Sequence, residues 1–346
     1  MKKLTAVFLL LSLLLAAWPA PVYAAAPEEI SREILQWNLQ NTGKKDVQSW
    51  LDSTLAESAG AGAEWYILGL VQSGESYDFS RYVAALEKYV SGKEERSATA
   101  RQKNALMFLA CGGGGGYVRQ VAESSAGELG IMSWVYGLHL ANNGAATVPE
   151  RAEIVSTLLS LQLPDGGWAV SGEHGDTDVT AMVVQALAPG RDEAEVAGAI
   201  GRALEFLSAR QYDDGGFASY GVECPESIAQ VVIALAALDL DAFSDERFIR
   251  NGHTMLDALA LFRQSDGSYA HFLDGESNGL ATVEVFCAMT AYERQQRGGG
   301  SLYLFDEPAL APESGGGRTV WLLPVFAGAV AVLLVCLVLS RRGRKE

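Results

Sequence analysis

The chain has 346 residues, enough to bury a large core in one or two domains. Its formal net charge of −16 argues against nucleic acid as a partner and suits an exposed, soluble surface. Four cysteines make no disulfide framework: Cys336 sits in an apolar C-terminal run, so at most one pair could form among Cys111, Cys224 and Cys287.

Residues 1–24 have the form of a secretory signal peptide. Lys2 and Lys3 precede an apolar run over 4–18, and Val22-Tyr23-Ala24 supplies small residues at a cleavage site. At the other end, 320–340 forms an uncharged run of about 20 residues, the length of a membrane-spanning helix. Residues 341–346, with Arg341, Arg342, Arg344 and Lys345, make a basic tail that stays cytoplasmic by the positive-inside rule. Leu323-Pro324 is followed by Val325-Phe326-Ala327 and not by the Thr-Gly of a sortase signal, so an integral anchor is expected. These ends predict a single-pass protein of the cell membrane, with its N-terminal domain extracytoplasmic and 306–319 as a linker.

Between the ends, apolar residues recur at three- and four-residue spacing, and no convincing strand is present. Amphipathic helices with one wet face are predicted over 28–40, 79–90, 117–122, 149–162, 192–210 and 248–263, with a minor one in 46–58. Helices apolar on most sides are predicted over 62–72, 97–110, 129–142, 177–188, 225–239 and 279–295. The five glycines at 112–116 read as a helix terminator and turn, since no Lys-Ser or Lys-Thr follows and no strand precedes. Residues 301–305 are a candidate closing tail.

One phrase is written three times. Asp165-Gly166-Gly167-Trp168 precedes the helix at 177, Asp214-Gly215-Gly216-Phe217 precedes the helix at 225, and Asp266-Gly267-Ser268-Tyr269 precedes the helix at 279. A recurrence near 50 residues signals helical repeats that must stack to bury their inner helices. Six outer and six inner helices give the expected fold: an all-α, α6/α6 toroid over 28–305.

The Asp-Gly-Gly-aromatic turn ahead of Asp176-Thr177-Asp178-Val179-Thr180-Ala181 resembles the repeats of the squalene cyclase and protein prenyltransferase superfamily. It is also similar to secreted bacterial proteins carrying prenyltransferase-like repeats, and the implied barrel is similar to that of cobalamin carriers. The resemblance covers most of 28–305 and implies the toroid; it does not imply a shared activity. In class II terpene cyclases the middle Asp of Asp-x-Asp-Asp-Thr-Ala protonates an alkene or epoxide. Asp178 takes that place here, but Val179 stands where the next Asp belongs. Trp65, Trp134, Tyr136 and Phe286 are the aromatics that could face a cation. Prenyltransferases bind zinc through Asp-x-Cys and a later His. Cys224 has no Asp two residues before it, and His139, His174, His253 and His271 show no ligand spacing, so no metal and no cofactor are expected.

Acidic residues in a helix's first turn also have a plain structural role, satisfying free N–H groups. By alignment of the repeats, one helix face carries Asp178, Ala181, Met182 and Gln185. The next copy carries Glu226, Ala229, Gln230 and Ile233, and the third Asn278, Ala281, Thr282 and Val285. That mixed face predicts a ligand funnel drawn from Asp176, Asp178, Gln185, Glu226, Gln230, Asn278, Glu284, Trp65 and Trp134. Glu284 departs from the alignment, where Val184 and Val232 match it. Three functions remain open: a membrane-tethered module binding a small or amphipathic molecule, or a peptide or surface protein; an enzyme acting through Asp178; and a structural or adhesive domain. The first is preferred, with no catalytic residue assigned.

Overall fold

The computed structural model describes residues 25–92 and 97–305. The expected signal peptide, linker, membrane span and basic tail, and Cys336, lie outside the described residues. No helix among the described residues is long and apolar enough to cross a membrane.

Outer helices are α1 (Pro27–Thr42), α4 (Ser80–Gly92), α6 (Gly115–Ser125), α8 (Val148–Ser160), α10 (Ala194–Arg210) and α12 (Met255–Phe262). Inner helices are α3 (Glu64–Gln72), α5 (Ala98–Cys111), α7 (Gly130–Asn142), α9 (Thr177–Leu187), α11 (Pro225–Ala237) and α13 (Gly279–Gln296). The minor helix expected in 46–58 is α2 (Val47–Trp50), which widens into a π-helical turn over Leu51–Leu55. Each inner helix packs on the next, α3 to α5 and so on to α13, and α13 packs back on α3. The inner ring is therefore closed, as the helix count predicts. Its helices run parallel. Asn142 at the end of α7 donates to the Ala186 carbonyl at the end of α9, and Arg297 after α13 donates to the Gln72 carbonyl at the end of α3.

The expected absence of strands needs one correction. A small antiparallel hairpin, β1 (Ala218–Ser219) and β2 (Val222–Glu223), precedes α11. Tyr220 and Gly221 both take positive φ, 48° and 81°, the conformation a two-residue hairpin turn demands.

The repeated turns bind each repeat to its neighbour. Gly166, Gly215 and Gly267 adopt φ of 90°, 90° and 87°, and each backbone abuts the next outer helix. A Cβ on Gly166 would meet the Arg202 carbonyl oxygen of α10 at 2.7 Å. Gly215 lies against Thr254 at the start of α12, and Gly267 against Glu33 of α1, so the third turn joins the last repeat to the first helix. Gln162 and Gln211 reinforce the first two seams. Each donates to a carbonyl of its own turn and to one beyond it, Ala199 for Gln162 and Phe248 for Gln211. Trp168 is fully buried with its indole N–H on the Leu158 carbonyl at 2.7 Å.

Residues 301–305 close one end of the ring, as expected of a tail. The side chain of Gln72, at the end of α3, donates to the Leu302 and Leu304 carbonyls. Asn143, after α7, donates to the Tyr303 carbonyl and accepts from Phe305 N–H. The Tyr303 ring stacks on His139 at 4.1 Å between centroids. Truncating Tyr303→Ala is expected to lower unfolding free energy by about 3 kcal/mol or more through the cavity it leaves, read as an earlier urea midpoint with helicity retained at low urea.

Candidate functional site

The outward faces of the inner helices are buried against the outer ring, and a few side chains elsewhere on these helices keep partial exposure. Asp178, Met182, Glu284, Lys103 and Trp65 are such residues. They stand on α9, α13, α5 and α3.

Asp176 does not belong to this group. It is the N-cap of α9, where one carboxylate oxygen accepts from the N–H groups of Asp178 and Val179. The other oxygen accepts from the Ser219 hydroxyl at 2.8 Å and from Tyr220 N–H. Asn278 caps α13 in the same way, accepting from Leu280 and Ala281 N–H. Both expected ligand residues are thus spent on helix starts, as first-turn chemistry dictates.

Capping also sets the register of the third repeat. Thr180 accepts from Trp168 N–H, and Thr282 accepts from Tyr269 N–H. Thr282 therefore matches Thr180, and the sequence alignment of the third copy was displaced by two residues. Glu284 matches Met182 and Gln230, not Val184 and Val232. Its carboxylate on the ring face follows from the repeat and is no exception to it.

Three inner helices are linked there by a directional chain. Gln185 of α9 donates through Nε2 to the Gln230 side-chain and backbone oxygens, both at 2.9 Å. Gln230 of α11 donates in turn to Glu284 Oε2 of α13 at 3.1 Å. Burial pushes the Glu284 carboxyl up to about 8, and the nearby Asp178 and Glu226 charges push the same way; the Gln230 amide and Lys103 oppose them. Burial likewise raises Asp178 to about 6, aided by Asp176 and Glu226 and opposed by the Ser227 and Ser219 hydroxyls. Asp178 Oδ1, Gln185 Oε1 and Glu226 Oε2 are buried with no hydrogen-bond partner.

The opposite wall is aromatic. Trp65 of α3 meets Tyr136 of α7 and Tyr303 of the tail, each at 6.4 Å between centroids. Since α5 stands between α3 and α7 in the ring, the Trp65–Tyr136 contact crosses the interior. Lys103 of α5 holds its ammonium 5.6 Å from the Trp65 ring centroid. Trp134 is misplaced in the expected set: its indole covers Gly127 in the loop between α6 and α7. Phe286 fills the seam at Gly69 between α13 and α3. Lys103 and Tyr303 were missed as site residues; Lys103 sits in the polar first half of its helix, beside Arg101, Gln102 and Asn104, so nothing in sequence singles it out.

Two histidines make contacts that their spacing in sequence does not foretell. His139 is buried in the core, where desolvation takes it down to about 3. His271 Nδ1 lies 2.9 Å from Glu226 Oε1, and the potential ligand atoms of Cys224, Glu226 and His271 lie within 4.8 Å of one another. The fold thus assembles a ligand-type triad that spacing hides, because His271 comes from the loop before the next inner helix. Burial raises the Cys224 thiol to about 12, so without a cation it keeps its proton. Cys111, Cys224 and Cys287 are all free thiols. A separate groove of about 520 Å³ runs between the loops at 171–177 and 209–212; it reaches Asp176 but not Asp178.

No family model matches the chain, and no curated protein does. Among solved structures, ent-copalyl diphosphate synthase from Streptomyces platensis is similar at 20% identity and a TM-score of 0.47. The match covers 68% of this chain and 50% of that one.

The raised carboxyl of Glu284 sets a pH dependence. A carboxyl with a folded value near 8 holds its proton where the unfolded chain has lost it, so folding binds protons and stability falls as pH rises toward 8. In Glu284→Gln, the isostere of the protonated acid, that decline is expected to flatten. Thermal unfolding from about pH 5 to about pH 9 measures it, with the variant the more stable of the two at the alkaline end.

Proposed function

We propose that this protein is a membrane-anchored, extracytoplasmic toroid that binds a small amphipathic molecule within its inner ring. The observation that carries the reading is an interior with two unlike walls: Trp65, Tyr136 and Tyr303 on one side, and Asp178, Gln230 and Glu284 on the other. An apolar surface with a few convergent polar groups is the usual composition of a small-molecule site. The tail closes the end where the inner helices finish, leaving entry at the end where they begin.

The surface around that entry supports an amphipathic ligand. Of the ten large hydrophobic residues exposed among the described residues, seven precede or open inner helices: Leu129, Val170, Tyr220, Val222, Phe272, Leu273 and Leu280. The anchoring rests on the sequence of the two ends. A structural or adhesive domain with a filled ring is disfavoured by the residual exposure of Trp65, Asp178 and Glu284.

An enzymatic reading through Asp178 has one observation in its favour, the raised carboxyl, which holds a proton for donation nearer neutral pH than a free aspartate does. Against it, Asp176 is engaged as a helix cap, and Val179 brings no second acid.

Native mass spectrometry of the protein purified gently from its own host tests the binding reading. A bound small molecule is expected, and Gln230→Leu should lose it while far-ultraviolet circular dichroism stays unchanged. Retention of the molecule by that variant would place the site elsewhere.

A further inference from the structure

We propose that the molecule taken into the ring is a cation, an ammonium with N–H donors on an apolar body. The proposal deepens the binding reading above and rests on it.

The chain of amides gives the first argument. Gln230 accepts from Gln185 through Oε1 and donates to Glu284 through Nε2, a direction fixed by its own backbone carbonyl, which can only accept from Gln185. Gln185 must then present Nε2, because its oxygen there would face both oxygens of Gln230. Both N–H groups of Gln185 and one of the two of Gln230 are directed along it, and the buried atoms around it left without any partner are acceptors. Gln185 Oε1 is such an atom on a residue 1% exposed, and Glu226 Oε2 another on a residue 7% exposed. Asp178 Oδ1 is the third. A buried acceptor left unpaired costs about 1–3 kcal/mol, and a donor that is also charged recovers most. A ligand offering only acceptors would meet like dipoles and like charges.

Charge gives the second argument, independent of the first. Asp178, Glu226 and Glu284 stand on three successive inner helices and act on one another, while Lys103 is the cation that acts on Glu284. Lys103 already rests over the Trp65 face, so the ring wall tolerates an ammonium against an aromatic surface. The exposed apolar residues at the entry fit the other half of the molecule.

A proton linkage follows. Glu284 faces Gln230 and Glu226 of α11, Asp178 of α9, Lys103 of α5, Tyr136 of α7, Tyr303 of the tail and Cys287 of its own helix. A cation favours the ionised carboxylate, so binding releases a proton from Glu284, and affinity rises as pH approaches 8.

The test uses decylammonium, decyltrimethylammonium, decanol and decanoate as probes of the full-length protein, titrated below micelle formation and followed by calorimetry in two buffers of different protonation enthalpy. Decylammonium is expected to bind one to one, at least about tenfold tighter than decanol, with decanoate weaker still. It should also exceed decyltrimethylammonium, which has charge but no N–H. Gln185→Met should cost decylammonium about tenfold and decanol less than about threefold. Proton release should disappear in Glu284→Gln. Equal, saturable binding of decylammonium and decanol would overturn the cation while leaving an amphiphile site in the ring. Failure of all four probes would overturn the cation and count against the ring as an amphiphile site as well.

Discussion

The ring depends on a backbone contact that only glycine permits. At Gly166, Gly215 and Gly267 the chain takes a left-handed conformation and abuts the next outer helix, with no room for a Cβ at the first two and a tight 3.2 Å approach at the third. That contact joins repeat to repeat, and at Gly267 it joins the end of the domain to its beginning. Hydrophobic burial is non-directional and would accept many arrangements of six apolar and six amphipathic helices. The turns choose one, and Gln162 and Gln211 hold it by bridging the carbonyls on both sides of the first two seams.

Register passes from the turn to the inner helix through one hydroxyl. Thr180 and Thr282 each pair with the aromatic residue of the preceding turn, Trp168 or Tyr269, and so decide which residues of α9 and α13 look inward. Asp176 and Asn278 complete the start by capping. Their role also separates the two acids of the Asp-x-Asp segment, which sequence alone leaves equivalent. Asp176 is held by four donors, whereas Asp178, two residues on, keeps a buried oxygen unpaired. Helix periodicity makes the difference, since two residues turn the side chain by more than half a circle.

The interior combines groups that are costly to bury unless something meets them. Burial makes Asp178 and Glu284 hold their protons more firmly than free acids do, and repulsion among the three neighbouring acids adds to it. A protein selected for stability alone would place apolar residues at those positions, as it does on the outward faces of the same helices. The retained polarity sets the inward faces apart from the outward ones, and the Cys224, Glu226 and His271 triad lies beside the same helix starts.

From sequence alone, the helix count, the alternation of outer and inner helices, the ring and the closing tail were all legible, because each follows from local periodicity and a repeated turn. Most of the acidic and amide face was legible too, through Asp178, Gln185, Glu226 and Gln230. What needed tertiary structure was register and meeting across distance. A two-residue displacement in the third repeat, where Asp-Gly-Ser-Tyr is the looser copy, hid the place of Glu284. Trp134 and Tyr136 differ by two positions on one helix, and only packing decided that Tyr136 faces inward while Trp134 covers Gly127. Lys103 over Trp65 and His271 beside Glu226 join residues 38 and 45 apart in sequence. Periodicity assigns a face to each helix, but ring closure alone determines which faces meet.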